Sequence, residues 1–248
     1  MERRDFVKRA AAALGGAAFT TGVAGRVHGA PVTPLSPFTA PRGSRRADLV
    51  LRRGVIYDGS GGAPVQGDVA ITAGRIVEVG ARLSVRGAEE VDLDGLALAP
   101  GFVDIHSHTD LQLLRHPRAD SKVRQGVTTE VAGQDGGSVG WSEAQFPEVR
   151  ERYLRDGIEI DFRDVGGFLR HMDRHGAAVN IASMIGAGTV RGRVIGMADR
   201  PATPAELEAM KGLVRDALAG GACGISSGLE YTPGAFADAA ELEVLAGV

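Results

Sequence analysis

Two histidines, His106 and His108, carry the side chains of this sequence best suited to chemistry. They end a segment, residues 97–105, whose small and branched apolar residues predict a buried strand. Alternate side chains of a strand share one face, so the two imidazoles point the same way, about 7 Å apart along the strand. Both can then reach one divalent cation, since zinc takes His nitrogen at about 2.0–2.1 Å. The pair therefore predicts a metal site with a coordination position left open for water.

The alternative interpretation of His106 and His108 is a pair of polar residues where a strand meets a loop. The apolar segment before them, with the acidic Asp104 and Asp110 nearby, favours the metal site.

Length and composition bound the class of protein. The 248 residues suffice for one large domain or two small ones. Acidic and basic residues are interspersed and the net charge is -3, which gives no indication of a nucleic-acid partner. The single cysteine, Cys223, excludes an intramolecular disulfide and a zinc site built from several thiolates. Cys223 opens an apolar segment, which predicts an inert core position.

The N-terminal segment has the pattern of an export signal. Arg3 and Arg4 precede a weakly apolar run rich in Ala and Gly, so residues 1–30 resemble a twin-arginine signal peptide with cleavage after Ala24 or Ala30. The run is too short for a membrane span of about 20 apolar residues. Residues 31–46, rich in Pro, predict a linker. We expect an exported, periplasmic or other extracytoplasmic protein; a disordered basic tail is the alternative.

The next segment, residues 47–98, predicts a small β domain. Short apolar runs at 49–51, 55–57, 69–71 and 76–79 are separated by turn residues, a spacing typical of hairpins.

Beyond Pro100 strands and helices alternate, which predicts a parallel α/β sheet with functional residues at the carboxyl ends of the strands. The predicted strands are 102–105, 128–132, 179–185 and 223–226, and the predicted helices are 164–176, 204–219 and 237–248. Thr203 and Glu206 form a capping box for the middle helix. A complete (β/α)8 barrel needs about 250 residues, so residues 99–248 predict about half of one.

Several motifs resemble those of a known family. The His106-Ser107-His108 strand end and residues 126–131, Gly-Val-Thr-Thr-Glu-Val, are similar to the metal-dependent amidohydrolase superfamily. Residues 226–234, Ser-Ser-Gly-Leu-Glu-Tyr-Thr-Pro-Gly, resemble the N-acyl-D-amino-acid deacylases (D-aminoacylases) more specifically. The resemblance covers about residues 48–248, the N-terminal half of a full-length member.

The resemblance implies an α/β fold: an incomplete amidohydrolase-type (β/α) barrel preceded by a small β-sandwich. It implies one or two zinc ions, with His106 and His108 as ligands and a zinc-activated water that hydrolyses the linear amide of N-acyl-D-amino acids to a D-amino acid and a carboxylate. Two further His ligands and the catalytic Asp, the general acid/base, are expected beyond residue 248. We therefore expect this chain alone to be inactive, with a missing C-terminal half as its candidate partner.

Some positions depart from the family pattern. Asp135 stands where well-known members have a Cys ligand; a carboxylate can bind zinc at about 2.0–2.2 Å, although capping of a turn is the alternative role. Ala187 replaces a His of many members, so any contact of that His is lost. The fourth strand has no Lys, which argues against hydantoinase and dihydroorotase relatives that use a carboxylated Lys. Tyr231, past a strand end, is the candidate substrate-binding residue.

Other functions remain open at this point. A non-catalytic exported metal-binding remnant and a different amidohydrolase, such as a cyclic amidase, are the alternatives. His171 and His175 have ligand spacing on a helix but lack the Glu of the metalloprotease motif, which favours a helix-surface position. Ser226 and Ser227 lack the surroundings of a nucleophilic serine.

Overall fold

The computed structural model describes residues 46–248. The chain divides into two compact units, one ending at Gly101 and one beginning at Phe102. The predicted signal peptide, residues 1–30, and the linker up to residue 45 lie outside the described residues, so both stay predictions. Arg46, the last residue of the predicted linker, belongs to the first strand. Within residues 46–248, no helix has the length and apolar character needed to span a membrane.

The first unit is built on one five-stranded sheet. Its strands are β1 (Arg46–Ile56), β2 (Val65–Thr72), β3 (Arg75–Gly80), β4 (Arg86–Asp92) and β5 (Ala97–Leu98). They run in the order β3-β2-β1-β4, with β5 also paired to β1. The β1–β2 and β2–β3 pairs are antiparallel, and β1 pairs in parallel with β4 and β5. The described part of this unit is a single sheet; the second layer of the predicted sandwich is not seen among residues 46–101.

Two strand predictions in this unit were wrong. The predicted strands 49–51 and 55–57 are one strand, β1, which ends at Ile56 and passes through an irregularity between Leu51 and Gly54, where Arg53 has a positive φ of 56°. Asp68 stabilises the irregularity by accepting a 2.9 Å hydrogen bond from the Arg53 backbone N–H. Strand β4 was missed because its residues are mostly charged and carry no apolar alternation.

The second unit contains two small parallel sheets. Its strands are β6 (Phe102–Asp104), β7 (Val127–Ala132), β8 (Asn180–Ser183), β9 (Ile185–Gly186) and β10 (Ile225–Ser226). One sheet has the order β6-β7-β8 and the other pairs β9 with β10. The predicted strand 179–185 is thus divided between β8 and β9. Parallel pairing brings the carboxyl ends of neighbouring strands to one edge, as the alternating pattern predicted.

Helices alternate with these strands. They are α1 (Gln112–Arg115), α2 (Asp120–Val123), α3 (Phe146–Arg155), α4 (Val165–His175), α5 (Ala187–Val194), α6 (Pro204–Ala219) and α7 (Ala239–Ala246). The predicted bounds of α6 and its capping box, formed by Thr203 and Glu206, are confirmed. Asp164 caps α4 as predicted, accepting a 2.7 Å hydrogen bond from the Gly167 backbone N–H. One buried apolar cluster surrounds Phe168 of α4, and a second surrounds Met210 of α6.

The prediction of one buried strand over residues 97–105 was wrong. Pro100 and Gly101 separate β5 from β6, because proline has no N–H for a strand ladder. The apolar side chains in and just after β6 are also exposed: Phe102 is 58% exposed and Ile105 is 73% exposed. The apolar composition that predicted burial therefore marks an uncovered surface in the described residues. Cys223 is likewise exposed rather than in the core, and it lies before β10, which begins only at Ile225.

The loop after β7, residues 133–137, packs directly against two other backbone segments. A Cβ on Gly228 would lie well under 3.0 Å from the carbonyl oxygen of Asp135, and one on Gly186 would lie equally close to that of Gly136. No side chain fits at such distances, so glycine is required at both positions. The ends of β7, β9 and β10 are thereby held together around Asp135.

We expect Gly228→Ala to lower the free energy of unfolding by about 1–3 kcal/mol, because the new methyl group forces the Asp135 backbone to shift. Urea denaturation of the purified chain measures the change. Gly224→Ala is the matched control, since a Cβ there meets no atom within 4 Å. Equal stability of the two variants would contradict the close packing of this loop.

Candidate metal centre

Three side chains with metal-binding atoms converge at the ends of β6 and β7. The Nε2 atoms of His106 and His108 lie 3.3 and 3.0 Å from Oδ2 of Asp135. The possible ligand atoms of the three residues lie within 4.8 Å of one another. The structure thus brings together the three residues that the sequence predicts as metal ligands.

The spacing of these atoms fits a tetrahedral zinc ion. Two ligand atoms about 2.1 Å from an ion, at a tetrahedral angle, lie about 3.4 Å apart. The distances from Asp135 to His106 and His108 are close to that value. Both histidine side chains are more than half exposed and that of Asp135 is 37% exposed, which leaves room for a water or a substrate atom as a further ligand. The donor set therefore fits the metal that the sequence predicted.

Parallel pairing of β6 and β7 positions the two histidines. The ladder places Asp104 opposite Glu130 and continues beyond β6, because the Ser107 backbone N–H donates a 3.0 Å hydrogen bond to the carbonyl of Val131. Ser107 lies between His106 and His108, so this bond fixes the backbone at the centre of the pair. Gln134, which is buried, adds a second tie by donating a 2.9 Å hydrogen bond from Nε2 to the carbonyl of Ile105.

Asp135 occupies a tight turn with an unusual backbone. Its φ is 53°, between Gly133 and Gly136 with φ of 74° and 72°. Asp is among the few residues besides glycine that adopt this left-handed region readily. Ser226 of β10 bridges the turn: its Oγ donates a 2.6 Å hydrogen bond to the Gly133 carbonyl and accepts a 3.2 Å bond from the Gly136 N–H. Ser226 therefore both donates to and accepts from the backbone that presents Asp135.

A buried charge network lies beside the histidine segment. Glu130 of β7 is fully buried, and its Oε2 accepts hydrogen bonds from the hydroxyls of Ser107, at 3.0 Å, and Thr109. Lys122 of α2 lies between two carboxylates, with its Nζ 2.5 Å from Oδ2 of Asp104 and 3.6 Å from Oε1 of Glu130. The hydrogen bond from Lys122 lowers the pKa of Asp104, and the same bond raises the pKa of Lys122. Asp104 and Lys122 are therefore both charged at neutral pH.

A fourth acidic residue, Asp110, lies two residues after His108 in the sequence. Its Oδ1 accepts a 3.2 Å hydrogen bond from the Gly133 N–H. Burial raises the pKa of Asp110 above its ordinary value.

A cavity of about 600 Å³ lies beside two of the metal-binding side chains. His108, Asp135 and Tyr231 are among the residues that line it, and Tyr231 is 57% exposed. The volume is within the roughly 300–1,000 Å³ usual for small-molecule sites. Tyr231, the sequence candidate for substrate binding, thus lines the same cavity as His108 and Asp135.

Sequence reasoning gave no role to Glu130, Lys122 or Gln134. The available signal was the one ionisable residue in the middle of β7, where the other residues are Val, Thr and Ala. A buried charge is retained only with partners, so Glu130 indicates a network. In the sequence Ser226 belongs to the 226–234 motif and lacks the surroundings of a nucleophile; the structure gives it the bridging position described above.

His171 and His175 lie on α4, away from this cluster. The Nδ1 of His171 is 2.6 Å from Oδ1 of Asp161, and the two histidine rings stack with centroids 5.9 Å apart. Among residues 46–248, the cluster of His106, His108 and Asp135 is the one group of three or more potential ligands.

Comparison with known proteins identifies the family to which this chain belongs. Residues 89–246 match the amidohydrolase family. The N-acyl-D-aspartate deacylase of Alcaligenes xylosoxydans xylosoxydans is 39% identical over 198 residues, which are 79% of this chain and 40% of that relative. The D-aminoacylase of the same organism is 36% identical over 199 residues, 80% of this chain and 41% of the relative.

Solved structures give the same result. The N-acyl-D-glutamate deacylase of Bordetella bronchiseptica, solved with zinc and a phosphonate mimic of the tetrahedral intermediate, is 32% identical with a TM-score of 0.70. A D-aminoacylase with a binuclear metal centre is 35% identical with a TM-score of 0.72. Each match covers 81% of this chain and 42% of the solved chain. This chain therefore spans about two fifths of the length of these relatives. The match over most of the chain, including the strand ends that carry His106, His108 and Asp135, places it in the amidohydrolase family.

Proposed function

We propose that this chain forms the metal-binding part of a zinc-dependent hydrolase that cleaves the linear amide of N-acyl-D-amino acids. The observation that carries the proposal is the convergence of His106 Nε2, His108 Nε2 and Asp135 Oδ2 at the ends of two neighbouring parallel strands. Two imidazoles and one carboxylate are a usual set of protein ligands for catalytic zinc, with one position left open.

Each residue of the site has a separate task in this proposal. His106 and His108 hold the ion with neutral nitrogens, and Asp135 adds the negative charge that favours a cation. When bound, zinc supplies a water with a pKa lowered toward neutrality and polarises the scissile carbonyl. The cavity that extends to Tyr231 receives the acyl group or the amino-acid side chain.

The substrate class comes from the relatives. Three relatives, at 34–39% identity to this chain, are named N-acyl-D-aspartate deacylase, D-aminoacylase and N-acyl-D-glutamate deacylase. We propose an N-acyl-D-amino acid of this class as the small-molecule substrate and D-amino acid plus carboxylate as the products. The zinc-bound N-acyl-D-glutamate deacylase supports zinc as the metal.

The later barrel strands are a second part of the proposal. The chain spans about two fifths of its relatives, and the family resemblance assigns two further His ligands and the catalytic Asp to later strands. β6 is paired on one side only among the described residues, and Phe102, Val103 and Ile105 are more than half exposed. This apolar edge supports association with a segment that supplies those strands.

Substitutions of Asp135 test the metal site. We expect Asp135→Ala to weaken zinc binding strongly, because an anionic ligand is lost, and Asp135→Cys to restore it, because thiolate also binds zinc. Isothermal titration with zinc measures the affinities of the purified chain. The double variant His106→Ala/His108→Ala, with no imidazole donors left at the site, is the reference for absent binding.

The substitution Asp135→Asn separates ligation from turn capping. An amide can still cap the turn and adopt the left-handed backbone, but it is neutral and a weaker ligand. We therefore expect this variant to bind zinc less tightly than wild type. If Asp135→Asn leaves the zinc affinity unchanged, the carboxylate is not a ligand. If the double histidine variant keeps the wild-type zinc content, the whole site is refuted.

Activity requires the residues assigned to later strands, so we expect the zinc-loaded chain alone to hydrolyse N-acetyl-D-amino acids weakly or not at all. We expect a chimera, in which the chain is followed by the C-terminal part of the Alcaligenes D-aminoacylase, to hydrolyse them. Release of free amino acid from N-acetyl-D- and N-acetyl-L-amino acids, and formation of the N-carbamoyl amino acid from a cyclic hydantoin, check both expectations.

The chimera carrying His106→Ala/His108→Ala is the control, since it differs only at the proposed ligands. Preference for the cyclic substrate, or equal rates on D and L substrates, would refute the proposed substrate class. Rapid turnover by the isolated chain would refute the requirement for later strands.

A further inference from the structure

We infer that Glu130, acting with Lys122 and Thr109, is a positioning residue that holds the backbone of His106 and His108 in the conformation that binds the metal. The inference rests on the proposed metal site and concerns residues that take no direct part in it. Its observation is the contact of one buried carboxylate with the residues on both sides of His108.

The first step concerns the cost of the charge. Glu130 is fully buried in a strand whose other residues are Val, Thr and Ala. An ionised carboxylate in the interior is unfavourable unless it is paired and hydrogen-bonded. An apolar residue would pack in this strand without that cost, so packing alone gives no reason for Glu at this position.

The second step concerns the partners of the carboxylate. Oε2 of Glu130 accepts hydrogen bonds from Ser107 and Thr109, the residues immediately before and after His108. The hydroxyls are thereby joined to one rigid point on β7. Because Glu130 is hydrogen-bonded to both neighbours of His108, it restricts the direction in which the imidazole of His108 can point.

The third step extends the network to His106. Oε1 of Glu130 has no hydrogen-bond partner, but it lies 3.6 Å from the Lys122 ammonium. Lys122 also contacts Asp104, whose Oδ1 accepts a 3.2 Å hydrogen bond from the His106 backbone N–H. The side chains of Glu130, Lys122 and Asp104 are therefore linked. The two carboxylates accept hydrogen bonds from the two residues beside His108 and from the backbone of His106.

The chain contains a matched control for this network. Glu241 is also buried, is also paired with a cation, Arg191, and also has one unpartnered carboxylate oxygen. Its contacts join α5 to α7, and none involves His106, His108 or Asp135. Glu241 thus reproduces the stabilising part of the interaction without contact with the metal-binding segment.

The test compares Glu130→Gln with Glu241→Gln in the full chain. Each change replaces one buried carboxylate by an amide with little change in volume. Cobalt(II) serves as the probe, because its visible absorption reports ligand geometry, and thermal unfolding without metal reports stability. We expect both variants to unfold at lower temperature, while only Glu130→Gln weakens cobalt affinity, by about 10- to 100-fold, and alters the spectrum.

A second pair of variants keeps the test decisive if Glu130→Gln does not fold. Thr109→Val removes the hydroxyl that donates to Glu130, whereas Thr109→Ser keeps it. We expect Thr109→Val to weaken cobalt binding and Thr109→Ser to retain the wild-type affinity and spectrum.

Wild-type cobalt affinity in Glu130→Gln, or equal affinity of the two Thr109 variants, would show a purely structural role and overturn this inference alone. Absence of cobalt binding by the wild-type chain would overturn both this inference and the proposed function.

Discussion

Parallel pairing of β6 with β7 is the constraint on which the site depends. The pairing continues past the last residue of β6, because the Ser107 N–H bonds to the Val131 carbonyl. That bond lies between the two histidines, and Asp135 follows β7 by only three residues. Any change of register by one residue would turn the histidines to the opposite face. The site is therefore a consequence of strand register rather than of any contact between the three side chains themselves.

The sequence predicted the meeting of these three residues for this same reason. Parallel strands end at one edge, so functional side chains just after each strand lie close together. Helix α6 was predicted to the residue because its signals are local: Thr203 and Glu206 bond to each other's backbone, and Pro204 fits the first turn.

The errors have a common physical cause. Apolar composition predicts that a segment is buried by other parts of the protein, but it does not indicate which parts bury it. Phe102 and Ile105 are apolar and exposed among the described residues, and the division of strand 179–185 at Met184 depends on pairing with β10 rather than on local propensity. The partners of Glu130 come from separate segments of the chain, so no spacing in the sequence indicated them.

Electrostatics and backbone geometry meet at Asp135. Four carboxyl groups, those of Asp104, Asp110, Glu130 and Asp135, lie near the histidine segment, and Lys122 is paired with two of them, Asp104 and Glu130. This excess of acidic groups favours a divalent cation at the open end of the segment.

The left-handed backbone of Asp135 adds a second requirement, since that region costs most side chains roughly 1–2 kcal/mol. Aspartate satisfies both conditions at once: it is an anionic oxygen ligand and it adopts the turn with little strain. Cysteine also supplies an anionic ligand, although it adopts this backbone region less readily than aspartate. Gly186 and Gly228 lack the Cβ that would meet the backbone of this turn, so the strand ends pack closely against it. The position of the ligand atom is therefore coupled to the packing of the strand ends behind it.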